Sequence, residues 1–223
     1  MKIDRWIVTY GCKLGIEIMC RIHKEGWENI PAQGPLICYT NHTGMLEGPL
    51  VYTQLQPRKA TGLAKSETWD NWFLRWVFTL WEIIPIRRGE ADTDALRKCL
   101  RALEDGYTLG MSPEGTRSKT GALIRAHGGV SMLGLKSGAP LIPVANWGGE
   151  HVGANLKRLR RTDYHLRVGR IFTLNARGEK VTKEIRQQMA DEMMYQLAML
   201  LPEEKRGEYA DLENATTKYL NFG

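Results

Sequence analysis

An α/β domain built on a largely parallel sheet is the fold class this sequence predicts, and three observations predict it. Short apolar runs bounded by turn residues recur at 35–40, 60–64, 83–86, 108–111, 141–145 and 164–172. Segments of helical spacing stand between most of them, and regular strand–helix–strand alternation is the pattern of parallel βαβ units. The 223 residues, 43% hydrophobic and 25% charged, are enough for one full core, and neither a low-complexity linker nor an internal repeat divides them.

Residues 3–22 place Ile3, Ile7, Tyr10, Leu14 and Ile18 at three- and four-residue steps, with Lys2, Arg5, Lys13, Arg21 and Lys24 interspersed. That spacing predicts an amphipathic helix, which either packs on the domain or lies on a membrane surface. The run Pro35-Leu36-Ile37-Cys38-Tyr39-Thr40, between Gly34 and Asn41, reads as a buried strand, so His42 stands just past a strand's C-terminal end. A helix is expected from 46 to about 55 and a strand at 60–64. Trp69, Trp72, Phe73, Trp76, Val77 and Leu80 then share one helical face. A tryptophan stripe of this kind is expected to be core, with an acyl-chain groove or a membrane-interface face as the alternative.

A strand at 83–86 precedes a helix at about 92–105, which Asp92, Thr93 and Asp94 open and Gly106 ends. A strand at 108–111, a helix at 128–137, strands at 141–145 and 164–172, and a closing amphipathic helix from 182 to about 200 complete the reading.

Charges interrupt the apolar stretches too early for a bilayer span: Lys13 and Glu17 break the first, Arg75 and Glu82 the second. No uncharged apolar run leads to a small-residue cleavage site, so a cytoplasmic location is expected. Cys12, Cys20, Cys38 and Cys99 show no CxxC spacing and read as buried thiols. A net charge of +6 favours an anionic partner, whether nucleic acid, anionic lipid or a phosphorylated substrate.

Two strings carry chemistry. His42 is followed five residues later by Glu47, so the histidine precedes a helix from whose first turns the carboxylate reaches back. A carboxylate in that place fixes the imidazole tautomer and leaves the far nitrogen to accept a proton. In the second string, Ser112-Pro113-Glu114-Gly115-Thr116-Arg117-Ser118, Pro113 fixes a φ angle, Gly115 lets the chain bend and Arg117 extends a planar fork suited to phosphate. A P-loop is excluded because Thr116 and Arg117 stand where Lys and Ser or Thr should follow the second glycine. A nucleophile elbow is excluded because Glu114 takes the place of its closing glycine. Arg87 and Arg88, after the strand at 83–86, reach the same rim if the sheet is parallel, since ligands bind at strand C-terminal ends in such sheets.

The order Asn41-His42…Glu47, Ile84-Pro85-Ile86-Arg87-Arg88, Pro113-Glu114-Gly115-Thr116-Arg117-Ser118 and Leu141-Ile142-Pro143-Val144 resembles the four sequence blocks of the 1-acylglycerol-3-phosphate acyltransferase family of glycerolipid enzymes, over roughly residues 25–175. The resemblance implies transfer of a fatty acyl group from acyl-CoA or acyl carrier protein to a lysophospholipid hydroxyl at the cytosolic membrane face. It implies no metal and no bound cofactor, His42 and Glu47 as the catalytic pair, and Arg88, Glu114, Gly115, Thr116 and Arg117 as substrate-binding residues. Pro143 and Val144 are expected in the oxyanion and acyl environment. Glu47 stands where the family usually has aspartate, Glu82 and Arg87 depart from the usual second block, and either Arg125 or His127 fills the place of a basic residue before a glycine.

The implied organisation is a membrane-docking helix at 1–24 and an acyltransferase domain at 25–223, peripheral on an anionic membrane. Two alternatives remain: another lipid or glycolipid as acceptor, or a membrane-binding module without catalysis that uses Lys157, Arg158, Arg160, Arg161, Arg167 and Arg170. No nucleic-acid motif accompanies those cations, and nucleic acid is not an expected partner.

Overall fold

Apolar runs too short for helices become the strands of a seven-stranded sheet in the computed structural model, which describes residues 3–87 and 92–223. In chain order the elements are α1 (Ile3–Met19), β1 (Cys20–Glu25), β2 (Leu36–Thr40), α2 (Glu47–Gln54), β3 (Ala60–Lys65), α3 (Trp72–Leu80) and β4 (Ile84–Ile86). There follow α4 (Thr93–Glu104), β5 (Thr108–Met111), α5 (Gly129–Ser137), β6 (Leu141–Trp147), α6 (Val152–Lys157), β7 (Thr162–Val168) and α7 (Lys183–Ala198).

The sheet order is β1-β7-β6-β2-β5-β3-β4, and only the β6–β7 pair is antiparallel. Parallel strands need both faces covered, and alternation along β2 shows how: Leu36 and Cys38 enter one buried cluster with α1 to α3, while Ile37 and Tyr39 enter the other with α4, α5 and α7. Because β2, β3, β4, β5 and β6 run the same way, the chain leaving each of them emerges at one edge of the sheet. His42, Arg87 and residues 112–118 are thereby gathered at that edge.

Three elements differ from the sequence reading. The helix expected to run to residue 22 ends at Met19, and Cys20–Glu25 form β1, paired in parallel with β7 from Cys20↔Thr162 to Glu25↔Arg167. Arg21, His23, Lys24 and Glu25 give this strand no apolar alternation, because it is an exposed edge held by its backbone ladder. The strand expected at 164–172 runs instead from Thr162 to Val168, burying Thr162, Tyr164, Leu166 and Val168. The expected tryptophan core is overturned for part of α3: Trp81 and Val77 are buried, but Trp72, Phe73 and Trp76 point outward.

Helix α1 is fastened by polar contacts as well as by packing. The Arg5 guanidinium reaches Glu82 at 2.7 Å, the Tyr52 hydroxyl at 2.9 Å and the Ala60 carbonyl at 3.3 Å, while the Trp81 indole N–H donates to Thr9 Oγ1 at 3.0 Å. Its opposite face exposes Ile3, Ile7, Leu14 and Ile18. No helix among the described residues is long and apolar enough to cross a membrane.

Candidate active site

His42 lies on the loop between β2 and α2, with its backbone held on both sides. Its N–H donates to Glu114 Oε2 at 2.7 Å, and its carbonyl accepts from the Ser118 N–H at 2.8 Å. The imidazole Nδ1 stands 3.3 Å from Glu47 Oε1. An Nδ1–H donated to that oxygen leaves Nε2 as the free base. The Glu47 side chain therefore does reach the ring, as its spacing predicts, from the first residue of α2.

The same Glu47 oxygen accepts the N–H groups of Thr43 and Gly44. Burial alone would push its carboxyl up, but the hydrogen bonds from His42 and from the backbone prevail and hold it below the usual glutamate range. The helix N-terminus also favours a negative charge there. Glu47 is thus an ionised, fully enclosed partner for a ring that is itself partly open to solvent.

Behind the loop, Asn41 and Asn146 form a buried polar lock between β2 and β6. The Asn41 amide donates to the Asn146 carbonyl at 2.8 Å, the Asn146 N–H returns a bond to Asn41 Oδ1 at 2.8 Å, and the Tyr164 hydroxyl donates to Asn146 Oδ1 at 2.9 Å. Sequence reasoning passed over Asn146. Its signal is a lone amide at the end of the apolar run Leu141–Trp147, where a buried polar group needs partners.

The imidazole opens on a cavity of about 490 Å³, well within the usual range for ligand sites. Its wall draws on both buried clusters: Val51, Tyr52, Leu55 and Trp81 on one side, Leu96, Cys99, Val130 and Leu133 on the other. Small residues make room for it, with Cys38, Ala60, Gly62, Ala64 and Gly110 lining the wall; a Cβ at Gly62 would stand 3.2 Å from the Gly110 carbonyl oxygen. Ser112 also lines the wall, and its Oγ is buried with no hydrogen-bond partner among the described residues.

Of the residues expected at the site, His42, Glu47 and Gly115 line this cavity. Gly115 has a φ of +66°, and a Cβ there would lie 3.0 Å from His127 Cδ2, so both backbone and space favour glycine. His127 is on the wall as well, whereas Arg125 lies off it, with its backbone N–H held by Glu208. Thr116 and Arg117 are exposed on the rim, outside the wall. Arg87 is on the same edge, its N–H 3.0 Å from Asp92 Oδ2. Arg88 lies outside the described residues.

Two placements correct the sequence reading. Glu114, expected to bind substrate, is buried and spends both carboxylate oxygens on backbone, Oε2 on His42 and Oε1 on the Ile124 N–H at 3.1 Å. Burial pushes its carboxyl up to about 7, against those two hydrogen bonds. Pro143 and Val144, expected near the oxyanion, sit within β6 opposite Tyr39 and Thr40, buried and away from the cavity wall. There the Pro143 carbonyl accepts the Gly169 N–H at 3.0 Å, just before the antiparallel ladder with β7 begins at Val144.

The family model described as Acyltransferase matches residues 21–147, more than half of the chain. The chain belongs to the acyltransferase family. The family match takes in the His42 loop, the 112–118 loop and both asparagines of the lock. Among curated relatives, the chloroplastic 1-acyl-sn-glycerol-3-phosphate acyltransferase of Arabidopsis thaliana is 26% identical over 151 residues, 66% of this chain and 42% of that protein. The 1-acyl-sn-glycerol-3-phosphate acyltransferase of Borreliella burgdorferi is 27% identical over 146 residues, 65% of this chain and 54% of that one. The chain thus spans about half the length of the curated relatives it matches. The crystal structure of the 1-acyl-sn-glycerophosphate acyltransferase PlsC from Thermotoga maritima shares the fold, with a TM-score of 0.65 over 96% of this chain and 81% of that one at 21% identity.

Proposed function

We propose that this acyltransferase moves a fatty acyl group from a thioester donor, acyl-CoA or acyl carrier protein, to the free hydroxyl of 1-acyl-sn-glycerol 3-phosphate, giving phosphatidic acid. The observation that carries this reading is the His42–Glu47 contact of 3.3 Å at the wall of a largely apolar cavity. A base poised beside space for hydrocarbon suits an alcohol that must lose a proton as it attacks an acyl thioester. The names of the relatives supply the acceptor, and acylation of its free hydroxyl gives phosphatidic acid.

In this mechanism His42 Nε2 takes the proton from the acceptor hydroxyl while the oxygen attacks the thioester carbonyl. The tetrahedral oxyanion collapses, the C–S bond breaks, and the imidazolium returns its proton to the departing thiolate. Glu47 stabilises the imidazolium throughout. General-base catalysis contributes about 10²–10⁴-fold, so positioning and polar groups at the oxyanion must supply the rest. The unpartnered Ser112 hydroxyl is a polar atom available to a substrate oxygen. Arg117 holds the acceptor phosphate at the rim, and Arg88, a substrate-binding residue by the family resemblance, is proposed to share that role. No metal or bound cofactor takes part.

A membrane-lipid acceptor calls for a docking face, and the exposed side of α1 with Trp72, Phe73 and Trp76 of α3 provides apolar side chains for one on the cytosolic leaflet. The decisive experiment incubates the protein with acyl-CoA and a panel of lysophospholipids, glycerol 3-phosphate and glycolipids, identifying products by mass. Phosphatidic acid as the dominant product is expected. Vesicle binding without thiol release from any acceptor would favour the non-catalytic module, and a different dominant product would reassign the acceptor. Ile7→Glu combined with Leu14→Glu should lower vesicle binding while sparing turnover of a short-chain acceptor in solution.

A further inference from the structure

The turn between α6 and β7 holds its most apolar side chain where the fold gives it least. Leu159 is 95% exposed, more than any other large apolar residue among those described, and its φ of +52° puts a branched side chain in the left-handed region. The turn is nonetheless fixed. The Asn155 carbonyl accepts the N–H groups of Arg158 and Arg160, each at 2.9 Å, and the Leu159 N–H donates to the Leu156 carbonyl at 3.0 Å. Asn155 Nδ2 also donates to Thr162 Oγ1 at 3.0 Å. Leu159 is therefore presented outward by a hydrogen-bonded frame.

Charge and position narrow what this tip meets. Lys157, Arg158 and Arg160 are exposed and make no ion pair among the described residues. Arg161 instead ties the turn to α1, its Nη2 donating to the Glu17 carbonyl at 2.6 Å and the Cys20 carbonyl at 2.8 Å. At that end of α1, Ile18 is 64% exposed. An apolar tip ringed by unpaired cations matches a surface that is anionic outside and hydrocarbon beneath.

The geometry points to residues 156–161 as a second contact with an anionic phospholipid bilayer, in which Leu159 enters the boundary between head groups and acyl chains and Arg158 and Arg160 meet the lipid phosphates. Together with α1, to which Arg161 links it, this contact sets the tilt of the domain on the membrane. The inference rests on the reading that the acceptor is a membrane lipid.

The test is co-sedimentation of the full chain with vesicles of phosphatidylcholine and phosphatidylglycerol. Leu159→Asn suits it because asparagine accepts a positive φ more readily than leucine, so the fold should be kept and the melting temperature equalled or raised. Partition should fall about five- to tenfold, as expected for losing one partly inserted leucine. Arg158→Gln with Arg160→Gln should weaken binding by roughly fivefold per cation on these vesicles and leave binding to pure phosphatidylcholine unchanged. A Leu159→Asn protein that partitions like wild type, or a wild type that fails to sediment, overturns the proposal. Acylation of a short-chain soluble acceptor, measured in parallel, separates the two readings. If wild type does not transfer acyl groups yet Leu159→Asn still loses vesicle binding, the catalytic reading falls and the docking contact stands.

Discussion

The loop at residues 112–118 has two halves built on opposite principles. In its inner part Glu114 holds the amides of His42 and Ile124 and the Ser118 N–H holds the His42 carbonyl, with the Ser112 hydroxyl left without a partner among the described residues. Its outer part, Thr116 and Arg117, stands exposed. The Glu114 and Ser118 groups place the imidazole, whereas Thr116 and Arg117 are the residues proposed to meet the acceptor. In the proposed mechanism, rate therefore depends on the inner half and acceptor affinity on the outer.

The sharpest way to break that division is His42→Ala. Thiol release should fall at least ~100-fold, and thermal unfolding should stay near wild type because the contacts that fix the loop are made by the His42 backbone. Retention of more than about a tenth of wild-type turnover would show that the base has been misassigned. Glu47→Gln should lower kcat by roughly 10–100-fold through the loss of imidazolium stabilisation. Glu47→Asp should keep measurable activity, since charge survives; equal and complete loss in both would make reach the deciding property.

On the outer half, Arg117→Ala should raise the acceptor KM about tenfold with little change in kcat, because a guanidinium on phosphate serves ground and transition states alike. A lowered kcat at constant KM would move Arg117 to the reacting carbonyl. The smallest effect is a pH slope. The Glu114 carboxyl is raised to about 7 in the folded chain, so the folded state holds its proton more tightly than the unfolded one. Its contribution to stability is therefore present below the ordinary glutamate range and lost as pH rises through about 7. Denaturation midpoints measured across that window should fall less steeply with pH in Glu114→Gln than in wild type.

Much of this fold could be read from the chain because its buried strands are written in apolar letters. The segment before Asn41 and the one starting at Leu141 are buried on both faces and carry their own signal. Strand β1 could not be read in that way, since its pairing uses backbone groups while its side chains are mostly charged. Helical spacing likewise marked an apolar face on α3 without saying what covers it, and Trp72 and Trp76 proved to be uncovered. The His42–Glu47 contact was local enough to follow from spacing. The inward turn of Glu114 was not, because its partner amide lies 72 positions away. Pro143 and Val144 were placed by resemblance alone, and they fell short of the end of β6, where Asn146 makes the connection to the His42 loop.

The parallel ladder between β1 and β7 imposes an order of assembly. Arg21 and Asp163, which face each other in it, are 142 positions apart, so the ribosome finishes the first strand long before the partner exists. Closing so long a loop comes late in folding, since its entropy is lost before the ladder gives anything back. Until then the edge of the sheet is unclaimed, while α1 is held by its contacts with α2 and α3 and by the bonds of Arg5 and Thr9 to Glu82, Ala60 and Trp81. An emerging chain therefore carries the apolar-faced helix α1 ahead of an unfinished sheet, and β1 must wait for the far later β7 before it can lock.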